Sequence, residues 1–187
     1  MSDRPLTAVG ISGSPASISR SRLLLAYALA RLADAGVETV QIDLHTLPAA
    51  PLLGRGSSLE VDRALQAVAD AHVVVASTPV YRATYSGLLK VFFDLLPQDA
   101  LAGKVAIPIA VGGVPGHQLS LEHGLRPLLA SVGAAVVPTG IFGATALFEN
   151  DVPAVSLRDR VNRAVAEALA LSGALPATPL FPHLSEV

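Results

Sequence analysis

The chain has 187 residues, 51% hydrophobic, 15% charged and 4% aromatic, which fits one domain able to bury a full core without a disulfide or structural metal. It contains no cysteine, so thiolate catalysis, iron–sulfur clusters and disulfide scaffolds are excluded. Thirteen basic against fifteen acidic residues give a formal charge of -2 with no basic block, which argues against a nucleic-acid partner, and a charged share below the usual ~25% points to apolar surface shared with another subunit.

Met1 to Pro5 leads into a short apolar stretch that a glycine and serines interrupt, so neither a signal peptide nor a membrane span is expected, and the cytoplasm is the default compartment. The first strand is predicted over Thr7 to Ile11. The run from Ser12 to Arg22 follows, and it holds Ser12, Ser14, Ser17, Ser19 and Ser21 with Arg20 and Arg22, just before a helical pattern from Leu23. Hydroxyls, backbone N–H groups and a helix N-terminus are the donors a phosphate dianion needs. The plainer alternative is that these serines cap the helix and fill turns. A P-loop lacks its Gly-Lys-Ser/Thr ending here, and the dinucleotide fingerprint lacks a third glycine beyond Gly10 and Gly13.

A second strand is predicted over Glu38 to Ile42, and Asp43 at its end reads as a solvated strand end. Ser57-Ser58-Leu59-Glu60 has capping-box spacing and opens a helix with Val61, Leu65 and Val68 on one face. The third strand is predicted over His72 to Ala76. In the loop beyond it, Tyr81 and Tyr85 fall beside Pro79, and aromatic and backbone groups there suit the lining of a flat ring; Ser86 is placed to cap the next helix, and Lys90 and Asp94 are spaced as an ion pair. The helix from Leu88 to Leu96 has almost no polar face, which predicts burial nearly all round, partly by a second subunit with Phe92 or Phe93 in the contact.

The fourth strand is predicted over Lys104 to Val111 and runs into Gly112 and Gly113, where a backbone can approach a ligand without a Cβ clash. The helix that follows contains Pro127, which has no N–H for the carbonyl of His123, so a kink or bulge is predicted there. His45, His72, His117, His123 and His183 show no paired spacing with a carboxylate, so no metal site is expected. A fifth strand is predicted over Ala134 to Pro138, then an amphipathic helix with Leu157, Val161, Val165 and Leu169 inward. The domain is expected to end at residue 172, and the proline-rich tail from 173 to 187 is expected to be extended or disordered.

Strand-like runs alternating with helices predict an α/β fold, a doubly wound five-stranded parallel sheet with helices on both faces. Ligands bind such sheets at the carboxyl ends of the strands. The loops after strands one, three and four are therefore the expected site.

Taken together, Gly13-Ser14-Pro15 with Ser19-Arg20-Ser21, Thr78-Pro79-Val80-Tyr81 with Tyr85-Ser86-Gly87 and Lys90, and Gly112-Gly113 with His117 resemble the NAD(P)H-dependent FMN reductases of the flavodoxin-like fold. The likeness is especially to the small reductases that supply reduced flavin to alkanesulfonate-type monooxygenases. It spans Thr7 to about Ser172 and implies the strand order 2-1-3-4-5. The resemblance implies that Ser14, Ser19, Arg20 and Ser21 hold the FMN phosphate, that Pro79, Val80 and Tyr81 follow the isoalloxazine edge, and that Gly112 and Gly113 reach its pyrimidine side. Ser12, Ser86 and His117 complete the expected cofactor-contacting set, with no side-chain acid or base among catalytic residues.

NADH or NADPH is the implied hydride donor, a homodimer or homotetramer the implied assembly, and a flavin-dependent monooxygenase a candidate partner. Some members insert a tyrosine into the fourth helix as a π-bulge at a tetramer interface; His123 stands there in this sequence. Three alternatives stay open on the residues: a reductase that retains FMN and reduces quinones, azo dyes or metal oxyanions, a flavodoxin-like electron carrier, and a flavin-free interaction module.

Overall fold

Runs of Val, Ile and Ala have few ways to hide except in a sheet covered on both faces, and here they form its centre. The computed structural model describes residues 5–174. In chain order its elements are β1 (Thr7–Ser12), α1 (Arg20–Asp34), β2 (Glu38–Asp43), α2 (Ala49–Leu52), α3 (Leu59–Asp70), β3 (Val73–Pro79) and α4 (Gly87–Phe93). They continue with β4 (Val105–Gly112), α5 (Arg126–Ser131), β5 (Ala135–Val136), β6 (Ile141–Ala144), β7 (Phe148–Glu149), β8 (Val152–Pro153) and α6 (Val155–Ala174).

The sheet is parallel in the order β2-β1-β3-β4-β5, and β6 also pairs with β4, continuing the fifth position. Every residue of β4 is buried, as is β3 up to Thr78. One face is covered by α1 and α6, where Leu24, Leu25, Leu29, Val161 and Val165 meet Val75, Ile107 and Ile109. On the other face Val61, Val68, Leu89, Phe92, Leu125 and Leu129 pack against Val9, Val74 and Ala106. This is the doubly wound arrangement expected from the strand pattern, in the flavodoxin-like strand order that the family resemblance implies.

Four expectations change in detail. The fifth strand is not continuous over Ala134 to Pro138; it breaks into β5 and β6. The break falls across from Pro108 in the middle of β4, between the pairs Ala106↔Val136 and Ile109↔Ile141, and Pro108 has no N–H for a ladder. Side chains satisfy the freed backbone instead: the Arg126 guanidinium donates to Val137 O at 2.7 Å and Pro138 O at 2.6 Å, and Glu167 accepts from the Thr139 N–H at 2.7 Å.

The helix from residue 87 ends its regular part at Phe93, and Phe92 and Phe93 are 0% and 3% exposed inside the chain's own core. They therefore do not form a subunit contact. Leu88, Val91, Leu95 and Leu96 are the half-exposed members of this segment. At the start of α3, Ser58 rather than Ser57 is the cap, accepting from the Glu60 N–H at 3.2 Å. Finally, α6 extends through Gly173 to Ala174, so the helix passes the expected boundary at 172; the rest of the predicted tail lies outside the described residues.

The irregularity predicted from Pro127 is present. The Arg126 N–H bonds to Leu121 O, an i→i−5 link that makes Leu121–Leu125 a π-turn around His123. His123 itself is exposed. Among the described residues no helix is long and apolar enough to cross a membrane.

Candidate active site

The carboxyl ends of β1, β3 and β4 lie consecutively across the sheet, and backbone bonds lock their loops together. The Gly13 N–H donates to Ser77 O and the Val80 N–H donates to Val111 O, each at 2.8 Å. Ser86, 2% exposed, ties the edge further. Its hydroxyl donates to Gly13 O at 2.6 Å and accepts from the Leu89 N–H at 3.1 Å, and its own N–H donates to Thr78 Oγ1 at 2.9 Å. Gly13 is required there, because a Cβ would lie 2.8 Å from Leu89 Cβ.

Ser19 caps α1 by accepting from the Arg22 N–H at 3.2 Å, and its hydroxyl lies 3.2 Å from that of the buried Ser21. The Ser77 hydroxyl donates to Ser21 O at 2.8 Å, fixing this first turn against β3. Ser14, 1% exposed, spends its hydroxyl on Ala16, 3.2 Å from both its N–H and its carbonyl. Ser12, 1% exposed at the end of β1, has a buried Oγ with no protein partner.

The two arginines of this loop separate. Arg22 makes a bidentate pair with Asp43, Nε to Oδ1 and Nη2 to Oδ2 each at 2.8 Å. That hydrogen bonding holds the Asp43 carboxyl below the ordinary range, with a second contribution from Gln41 Nε2 at 2.9 Å. Asp43 is thus a partnered strand end, not a solvated one, and Arg22 is committed to it. Arg20, the first residue of α1, points instead toward the sheet edge, its guanidinium over the Phe148 ring at 5.5 Å from the centroid.

Ser19, Arg20, Ser21 and Pro79 line one open cavity of about 330 Å³ together with Val111, Thr145 and Asp151. The last two are residues that sequence reasoning missed. Thr145 follows β6, and its hydroxyl donates to Gly112 O at 3.2 Å; only the register of the split fifth strand reveals that closeness. Asp151 arrives on the β7–β8 hairpin, which the sequence pattern did not announce.

The remaining expected residues do not line this cavity. Tyr81 is 48% exposed at a tight turn where its N–H donates to Thr84 O at 2.9 Å, with Arg82 and Ala83 at φ 49 and 65. Gly112 has no room for a side chain, since a Cβ would sit 2.9 Å from His117 Cβ and 3.2 Å from the Phe142 ring. Gly113 opens onto free space, whereas His117 Nδ1, buried without a protein partner, lies against Gly112. Among the described residues no group of three or more His, Asp or Glu side chains is placed to hold a metal ion.

A parallel sheet wound on both faces, with hydroxyls, a helix start and an arginine gathered at the carboxyl ends of its central strands, defines a nucleotide-binding protein of the flavodoxin-like class. The sequence model described as NADPH-dependent FMN reductase matches residues 6–148, and the chain belongs to that family of flavin oxidoreductases. An FMN reductase (NADPH) of Pseudomonas putida is 44% identical over 135 residues, covering 72% of this chain and 68% of the relative. The NADH-dependent FMN reductase SfnE of Pseudomonas putida is 35% identical and covers 91% of this chain and 94% of its own length. Among solved structures, the apo form of the NADH:FMN oxidoreductase EMOB superposes with a TM-score of 0.82 at 37% identity, covering 93% of this chain and 92% of that one.

Proposed function

We propose that this protein transfers hydride from NADPH or NADH to FMN and releases the reduced flavin to a flavin-dependent monooxygenase. The observation that carries the reading is the shared cavity of Ser19, Arg20, Ser21, Pro79, Val111 and Thr145 at the carboxyl ends of β1, β3 and β4. The residues present fit FMN: Ser12 Oγ, Arg20 Nε and His117 Nδ1 are buried polar atoms that make no hydrogen bond within the protein, and a phosphorylated, carbonyl-rich ring system offers partners for such groups.

In this reading Ser14, Ser19, Arg20 and Ser21 bind the phosphate, with the start of α1 adding its N–H groups. Pro79, Val80 and Tyr81 orient one edge of the isoalloxazine, and Gly112 and Gly113 let the backbone meet its pyrimidine side. Ser12 and His117 supply further polar contacts, and Ser86 acts by holding the Gly13 turn in place. FMN, when bound, accepts a hydride at N5 from the nicotinamide C4. The chain's contribution is alignment of the two rings, a step that requires no side-chain acid or base.

One flavin-binding domain, running through the end of α6, works in the cytoplasm, and the assembly is a homodimer or homotetramer. Its support is the apolar strip Leu88, Val91, Leu95 and Leu96, half-exposed on the segment that follows the third loop.

The test is oxidation of NADH and of NADPH at fixed protein while FMN, FAD and riboflavin are titrated. Expected is a rate that saturates in added FMN and a flavin that is lost on gel filtration. A rate independent of added FMN with flavin retained through the column would assign the protein to quinone, azo-dye or metal-oxyanion reduction. No nucleotide oxidation with any flavin would contradict the proposal.

A further inference from the structure

The hairpin of β7 and β8 brings a carboxylate to the cavity that the proposed function assigns to a phosphate. Its register is Phe148↔Pro153 and Glu149↔Val152, and the two turn residues Asn150 and Asp151 have φ of 48 and 61. Phe148, 8% exposed, anchors the hairpin against Gly143, where a Cβ would lie 3.1 Å from its ring. The Arg20 guanidinium rests on that same ring. Asp151 Oδ1 then lies 3.3 Å from Arg20 Nε, without the alignment of a hydrogen bond, and both residues line the cavity beside Ser19 and Ser21.

The turn itself does not call for a carboxylate. Left-handed backbone at this position suits Asn or Gly as well as Asp. The Asp151 side chain is 59% exposed, and its charge finds Arg20 as its cationic neighbour. Asp151 is thus set on the cation of the cavity wall, where its charge would oppose an entering anion.

We infer that Asp151 is a built-in competitor for the FMN phosphate on Arg20, a specificity-determining residue that keeps phosphorylated flavin exchangeable. The inference rests on the proposed reading of the cavity as the phosphate site. A flavin phosphate carries close to two negative charges near neutral pH. It must share Arg20 with a fixed carboxylate, and the repulsion is felt only by the phosphorylated ligand. Because the pair is solvent-exposed, the effect is modest and screened by salt.

Equilibrium titration of the full-length protein with FMN and with riboflavin, followed by quenching of flavin fluorescence, separates the possibilities. In Asp151→Asn, which keeps a residue suited to the left-handed turn, the Kd for FMN should fall about two- to fivefold at low salt while that for riboflavin stays fixed. The difference should shrink at high salt. An FMN Kd that is unchanged or raised overturns the competitor role, as does a parallel shift for riboflavin, which would signal an altered turn instead of a removed charge. If the wild-type protein binds FMN no better than riboflavin, the phosphate reading and the competitor fall together; a preference for FMN that Asp151→Asn leaves untouched removes the competitor alone.

Discussion

Arg20 and Arg22 lie two positions apart on α1 and do different work, because one carboxylate claims Arg22 from the far end of β2. In the proposed reading Arg20, shared with the exposed Asp151, is the guanidinium that meets the ligand. Replacing it with Gln should weaken FMN binding by about ten- to a hundredfold, the range for a lost charge-assisted contact, with turnover at saturating FMN unchanged. Equal losses in turnover at saturation would contradict a role confined to binding.

The Arg22–Asp43 pair makes a different claim. Asp43 titrates below its ordinary value in the folded protein, so the stabilisation is fully present above the unfolded carboxylate pKa near ~4 and is lost as pH falls through the lowered folded value. Asp43→Asn should cost about 1 kcal/mol at pH 7 by urea denaturation, and the difference from wild type should close as the pH falls below the ordinary carboxylate range. A gap that stays constant over that range would exclude the linkage. The serine cluster was legible in the sequence because capping and anion binding are local to a helix start. The partner of Arg22 was not, since the contact spans 21 residues and depends on strand order.

At the scale of elements, Ser86 joins two of them: it caps α4 and holds the Gly13 turn after β1. Ser86→Ala removes both bonds from a buried site and should cost about 1.5 kcal/mol, lowering Tm by about 3–6 °C in a chain of this size. A loss below a few tenths of a kcal/mol would mean that the neighbouring backbone bonds carry the turn alone. The same scale explains what could be foreseen. The π-turn at Leu121–Leu125 follows from the missing donor of Pro127 four residues past His123, a purely local fact. The split of the fifth strand follows from Pro108, whose influence crosses to another strand and needs the register to be known. Thr145 and Asp151 were invisible for the same reason: what places them at the cavity is that split strand and the short hairpin beyond it.

For the whole molecule, Phe92 and Phe93 are spent on the chain's own core, and Leu88, Val91, Leu95 and Leu96 beside the third loop are only partly buried against it, which makes them the proposed subunit contact; the most exposed large apolar side chains, such as Ile18 and Leu59, lie elsewhere in the chain. If the proposed homodimer or homotetramer forms through this segment, Val91→Asp should sediment as a monomer while the circular dichroism spectrum of the wild-type subunit is kept. An unchanged sedimentation coefficient would place the interface elsewhere. The central claim, that the carboxyl edge of the sheet holds a flavin by its phosphate, is tested most directly by calorimetric titration of flavin-free protein with FMN and riboflavin. The account predicts one FMN per chain, tighter than riboflavin, with the preference abolished in Arg20→Gln. Equal affinity for the two flavins, or a preference that survives loss of Arg20, would contradict it.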